Sequence, residues 1–332
     1  MSFFAILFAL LIEQVRPLGA GNPIHSGLRV WARWVSRNFD AGKPHHGWIA
    51  WSLAVLGPSL LALAIHWLLL LYVGWPAAML WSVVVLYTTL GFRQFSHHFT
   101  DIRDALEAGD EERARQLLAL WQRVDASELP RSEIVRHVIE YSVLAAHRHV
   151  FGVLACFSVL AAFGFGPAGA VLYRMAEFVS RYWRYRTRTE VQLASEALQS
   201  AAARAWAAID WVPARATAIA FAVVGSFEEA IDCWRNYAQR FPNDNDGVVL
   251  AATSGAVNVR LGGEALKPAF AAVAPQPVPS GGLGGEPAVD TASTPGREAE
   301  TSHLRIIVGL VWRSVVLWMV LLALLTLANL LG

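Results

Sequence analysis

The stretch Trp48–Val73, WIAWSLAVLGPSLLALAIHWLLLLYV, decides the fold: it runs 26 residues without an Asp, Glu, Lys or Arg, and His66 is its one ionisable side chain. A bilayer core takes about 20 apolar residues in helical form. This stretch is therefore read as a membrane-spanning helix. Gly74, Trp75 and Pro76 turn the chain, and a second apolar run, Pro76–Phe92, follows with 17 residues, just enough to return. Together they predict a hairpin. A third span is predicted over Ile306–Leu331, with Arg313 near its start, where a long cationic side chain can snorkel to the interface.

Composition agrees. Of 332 residues 55% are hydrophobic and only 16% charged, with 14 tryptophans and a mean hydropathy of +0.40. An average soluble domain carries roughly 25% charged residues. A disordered chain, a fibre and a disulfide scaffold are excluded, and an ordinary soluble enzyme is disfavoured. The net charge of +1 gives no basic face for nucleic acid. Cys156 and Cys233 stand in unrelated segments and read as buried or lipid-side thiols.

The rest of the chain is predicted helical. Ser2–Ile12 is apolar but short, and is read as an uncleaved anchor or interfacial helix. Val150–Tyr173 is long enough to span but is interrupted by Gly164, Gly166 and Pro167, and Ala216–Phe227 has only 12 residues. Both are expected to be re-entrant or interfacial helices. Arginines on both sides of the broken stretch, Arg136 and Arg148 before it and Arg174, Arg181, Arg184, Arg186 and Arg188 after it, place both flanks in the cytoplasm. Arg29, Arg33, Arg37 and Lys43 put the first loop on the same side. Asp101–Arg123 reads as two short helices, with Gly109 ending one and Asp110 capping the next. Ala271–Ser302 holds five prolines among Gly, Ala and Ser and reads as a flexible linker. The domain expectation is thus a membrane domain over 1–270, a linker over 271–303 and a last span over 304–332.

Candidate chemistry is sparse. There is no phosphate loop, dinucleotide fingerprint or zinc-hydrolase motif. His45–His46, His97–His98 and His147/His149 abut predicted membrane boundaries, where histidine is common, and a metal site would need further ligands converging on them. No metal and no cofactor is expected from the residues themselves. Arg181–Arg188, interleaved with Tyr182, Trp183 and Tyr185, suits an amphipathic helix on headgroups or a phosphate-binding rim. Glu140 and Glu177 flank the broken stretch; facing a cavity they would take a cation or an amine.

Several motifs together resemble the CobD/CbiB family of cobalamin-pathway membrane proteins and its relative AmpE. GPAGAVLYR (Gly166–Arg174) is similar to the family's glycine-rich turn into a helix. DWVPAR (Asp210–Arg215) resembles its Pro-Ala-Arg element, with Arg204 upstream. Phe241-Pro242-Asn243 and then GVVLAATSGAVNVRLGG (Gly247–Gly263) resemble its proline-asparagine turn and its small-residue helix, running to Arg260 and a glycine stop. Arg123, Arg136 and Glu140 fall on family-like positions, and the opening from Leu11 to Gly19 looks closer to AmpE.

The resemblance implies an all-α polytopic inner-membrane protein with a helical cytoplasmic face. It implies an enzyme that joins adenosylcobyric acid to aminopropanol phosphate, with ATP and magnesium if that activity is retained. It implies ligand-binding roles for Arg123, Arg136, Glu140, Tyr173, Arg174, Glu177, Arg204, Arg215, Asn243 and Arg260. The implied partners are the lipid bilayer, a phosphorylated corrinoid and a second copy in a homodimer. The sequence also departs from the family. Where its acidic and amide groups are expected stand Leu144, Ala145, Arg148 and His149; Glu177 and Ser180; and Trp206 and Ala207. A scaffold without its acidic set equally suits a non-catalytic, AmpE-like sensor. If Arg136, Arg174, Arg204 and Arg260 converge, a polyanionic ligand is expected; if they scatter, they are topology signals.

Overall fold

The computed structural model describes residues 2–15, 23–122, 124–184, 194–264, 266 and 293–331. The described residues are all-α, without a strand longer than one isolated bridge. Four helical runs are long and apolar enough to cross a membrane: Pro44–Tyr72, Arg131–Ala162, Glu196–Val224 and Thr301–Ala328. The protein is an all-α, polytopic membrane protein.

The chain divides into two compact units. The first comprises residues 1–94, 148–213 and 318–332. It holds α1 (Ser2–Val15), α2 (Pro23–Phe39), α3 (Pro44–Tyr72) and α4 (Trp75–Thr89). α3 carries the stretch that opened the sequence reading and packs against α2 and α4. Pro58 lies inside it without ending it. α4 is 15 residues long, about 22 Å at 1.5 Å per residue. That is short of the ~30 Å bilayer core, so the expected second span is a shorter apolar helix that stops before Leu90 and Gly91.

The second unit comprises residues 95–147 and 214–317. Except for the first residues of α5 (Phe92–Glu107), it holds α5, α6 (Glu111–Gln122) and α7 (Arg131–Ala146). Asp110 caps α6 as its sequence predicts: Arg113 N donates to Asp110 Oδ1 at 2.9 Å.

Two expectations are corrected. Val150–Tyr173 is not a re-entrant loop of two short halves. Its first half is α8 (Gly152–Ala162), which continues α7 through a π turn, His147–Phe151, into one 32-residue run. In the sequence the charges before Val150, among them Glu133, Arg136 and Glu140, resemble a solvated stretch. They lie three and four residues apart on one helical face and neutralise each other there. The second half is α9 (Ala168–Tyr182). Between α8 and α9, Gly164 at φ +82° supplies a left-handed turn that a side chain would resist. Likewise Ala216–Phe227 is mostly the tail of α10 (Glu196–Val224), whose 29 residues carry Pro213 inside the helix. His147 and His149 are buried within the long run, not placed at a boundary.

In the second unit α11 (Phe227–Tyr237) packs on α12 (Asp244–Val257). The small residues singled out in α12 explain how. A Cβ at Gly255 would overlap the backbone of Glu229 and Ala230, and one at Gly247 the carbonyl of Ala238. The helices touch at the backbone. α12 stops one turn before the expected glycines: Asn258 takes the left-handed conformation at φ 52°, a C-terminal role asparagine can fill. The last helix, α13 (Thr301–Leu331), starts a few residues before the expected span. Of the expected linker, residues 271–292 lie outside the described residues, whereas residues 293–300 pack against the end of α12.

Candidate functional site

α7 starts with RSEIVRHVIEY, and the helical repeat aligns Glu133, Arg136, His137 and Glu140 on one face. Arg136 is 5% exposed. Its Nε donates to Glu133 Oε2 at 2.9 Å and its Nη1 to Glu140 Oε1 at 3.0 Å. Nη2 also donates to Glu133, and to the backbone carbonyl of Glu264 at 2.7 Å. His137 lies beside it, with Nε2 2.9 Å from Nη2 and Nδ1 3.6 Å from Glu140 Oε2. A buried guanidinium needs such partners to offset its desolvation.

Glu140 is also the contact that reaches out of the helix. Its Oε1 accepts the backbone N–H of Gly262 at 2.7 Å. Arg136 and Glu140 thus hold the loop after α12, Val259–Glu264, from one side. The loop presents Arg260, which is exposed.

From its other side the loop is held by residues 293–297. Thr294 is 2% exposed. Its Oγ1 accepts from Leu261 N at 2.9 Å and lies 3.1 Å from Leu261 O. Ser254 Oγ is 2.6 Å from the same oxygen. Thr294 N donates to Leu261 O at 2.8 Å, and Arg260 N donates to Arg297 O at 2.7 Å.

The first unit holds two further polar groupings. Tyr173 is fully buried and its Oη donates to Asp210 Oδ1 at 2.7 Å. Gly152 makes room for this, since a Cβ there would overlap the tyrosine hydroxyl. On the next turn of α9, Arg174 Nη1 donates to Glu177 Oε2 at 2.6 Å, and Arg181 meets the other oxygen of that carboxylate. Glu177 is 2% exposed.

The candidate residues therefore separate. Arg136, Glu140 and Arg260 come together in the second unit around the 259–264 loop. Arg215 and Asn243 are in that unit too, at the start of α12: Arg215 donates to Asn245 Oδ1 at 3.1 Å and Asn243 to Asp246 Oδ2 at 3.1 Å. Tyr173, Arg174 and Glu177 belong to the first unit, as does Arg204, exposed on α10. Arg123 lies outside the described residues. Of the four arginines whose convergence would point to a polyanionic ligand, Arg136 and Arg260 share one unit and Arg174 and Arg204 the other. Arg136 is a holder of the loop, not an open anion ligand, because its donors are taken by Glu133, Glu140 and Glu264.

Sequence reasoning missed Glu133, His137, Asp210 and Thr294. The first two were readable from the three- and four-residue spacing around Arg136, and Asp210 from its place in DWVPAR. Nothing local points to Thr294, which is 33 residues from its partner Leu261. As to metals, no three His, Cys, Asp or Glu side chains converge among the described residues, and Glu133 and Glu140 both face Arg136. This donor set does not fit a resident magnesium ion.

Fold and site define a polytopic membrane protein whose polar centre braces an arginine-bearing loop. The family model described as CobD/Cbib protein matches residues 4–277, and the chain belongs to that family. Curated relatives agree. The chain is 32% identical over 329 residues to a cobalamin biosynthesis protein CobD of Stutzerimonas stutzeri, covering 96% of each chain. It is 33% identical over 183 residues to one of Chromobacterium violaceum, covering 55% of each. With one of Mycobacterium tuberculosis it shares 31% over 231 residues, 67% of each. No solved structure matches.

Proposed function

We propose that this chain works in cobalamin biosynthesis at the inner membrane, forming the amide between adenosylcobyric acid and aminopropanol phosphate. The observation that carries this is the nearly full-length similarity to the Stutzerimonas protein, 96% of each chain. The site is compatible with it. Each substrate carries an anionic group, a carboxylate in one and a phosphate in the other, and the braced loop offers them Arg260, whose guanidinium can bind a carboxylate or phosphate oxygen. Glu140 and Arg136 hold the loop backbone so that little conformational freedom is lost when substrate binds. ATP would supply the activation of the carboxylate, and magnesium would arrive with the nucleotide.

The test is expression in a host lacking its own synthase. Rescue of cobalamin-dependent growth is expected, with loss of rescue in Arg260→Gln. No rescue, with the protein confirmed in the membrane, overturns the enzyme reading. A changed cell-envelope response on deletion, with cobinamide unaltered, would instead support the sensor reading.

A further inference from the structure

The arginines of α2 do more than mark a side of the membrane. The helix reads PIHSGLRVWARWVSRNF, without an Asp or Glu, and places Arg29, Arg33 and Arg37 at four-residue intervals. Residues so spaced share one helical face. Arg29 and Arg37 are exposed there. Arg33 is half-buried, and its Nε and Nη2 both donate to Tyr182 Oη at 3.4 Å. Beside this basic stripe stand Val30 and Trp34, 65% and 47% exposed. The Trp34 ring stacks on Trp31, 5.3 Å between centroids. The opposite face is the packed one, with Ala32 and Val35 fully buried. Asp40, the carboxylate nearest in sequence, is turned to Ser195, accepting from its N at 2.7 Å and its Oγ at 2.6 Å.

An exposed face that is part cationic and part apolar suits neither bulk water nor hydrocarbon. It suits the boundary between them. Depth agrees. Trp31 Nε1 donates to the Ala54 carbonyl of α3 at 3.2 Å. Val73, which caps α3 before the Gly74 turn, is 19 residues further on, about 28 Å at 1.5 Å per residue. The bilayer core is ~30 Å thick. Measured along α3, the α2 contact and the Gly74 turn stand one core apart.

We propose that α2 is an interfacial helix that binds the headgroup of an anionic phospholipid, with Arg29, Arg33 and Arg37 on the phosphate and Val30 and Trp34 in the acyl boundary. Arginine forks match phosphate oxygens. A net negative lipid balances three cations that no carboxylate of α2 offsets, whereas a zwitterionic lipid brings no net charge. Tyr182 orients the middle guanidinium. This surface is independent of the reaction proposed above.

The test is native mass spectrometry of the full chain released from micelles that hold equal amounts of phosphatidylglycerol and phosphatidylcholine. The parent is expected to retain phosphatidylglycerol preferentially. A cation at the membrane surface is worth about fivefold in affinity, so Arg29→Gln with Arg37→Gln should cut the preference about twentyfold. Arg29→Lys with Arg37→Lys keeps the charge and should keep most of it. Trp34→Ala should lower retention of both lipids. Arg113→Gln, at an exposed arginine of α6, should change nothing. Arg29 and Arg37 are exposed, so their replacement leaves folding intact. No preference in the parent, or a preference unchanged in the double glutamine variant, overturns the inference. Equimolar inorganic phosphate abolishing the preference would assign the stripe to a free anion. A dimer lost in the double variant, without lipid preference, would assign it to a second copy. Either result overturns the lipid site.

Discussion

At Gly152 one absent methyl group decides whether Tyr173 reaches Asp210. Gly152→Ala forces the phenol aside or the helices apart, and overpacking of this kind costs about 1–3 kcal/mol. Unfolding in detergent should show that loss, and the double variant with Tyr173→Phe should lose less than the sum, because both changes disrupt the same Tyr173–Asp210 contact. A second residue-scale expectation concerns Cys233. It is 5% exposed, and burial pushes its thiol pKa up, with Asp232 adding to the shift. Only the thiolate reacts with alkylating agents, so near neutral pH Cys233 should resist maleimide in the folded protein and react quickly once denatured. Rapid labelling of the folded protein would contradict its placement. Its burial is one of the two placements, buried or lipid-side, that the sequence allowed. The sequence did not identify Thr294, since a hydrogen bond between residues 33 positions apart leaves no local pattern.

At the scale of elements, the bond between α7 and the 259–264 loop is the most exposed to test. Glu140→Ala leaves the Gly262 N–H without its acceptor and Arg136 with one carboxylate fewer. Removing one partner of a buried pair costs about 3–5 kcal/mol. Glu140→Gln keeps an oxygen for Gly262 and should cost clearly less in the same thermal or denaturant assay. Equal stability of both variants with the parent would mean that the pair holds nothing. The helices themselves were largely legible. Uncharged runs such as Trp48–Val73 leave one reading, and Asp110 with two following glutamates marks a helix start. The run Arg131–Ala162 was misread for a definite reason. Composition counts Glu133, Arg136 and Glu140 as three charges, whereas the helix folds them into one compensated group. α10 likewise stays helical through Pro213, a residue that inside a helix favours a break.

For the whole molecule, the expected behaviour follows from what its surface exposes. Leu60, Leu61, Leu71, Tyr72 and Val73 on α3, and Leu324 and Leu325 on α13, are well over a third exposed, a surface that water would not tolerate over such an area. The protein should stay in the membrane pellet through alkaline carbonate washing and leave it only with detergent. Release by carbonate would contradict the spans. The membrane class was legible from the 16% charged content, and the family from motifs such as the Gly247–Gly263 helix. The candidate site was half legible: Arg136, Glu140 and Arg260 carried a signal, but the strand-like partner of the loop lay inside a segment whose composition suggested only a tether. That placement has a consequence for biosynthesis. Arg136, Glu140 and Gly262 leave the ribosome long before Thr294 and Arg297 do. A nascent chain therefore completes its first spans with an unfinished loop. The loop gains its second clasp only once residues 293–297 have been made, so premature termination anywhere before residue 293 yields a membrane-inserted protein whose 259–264 loop is held from one side alone.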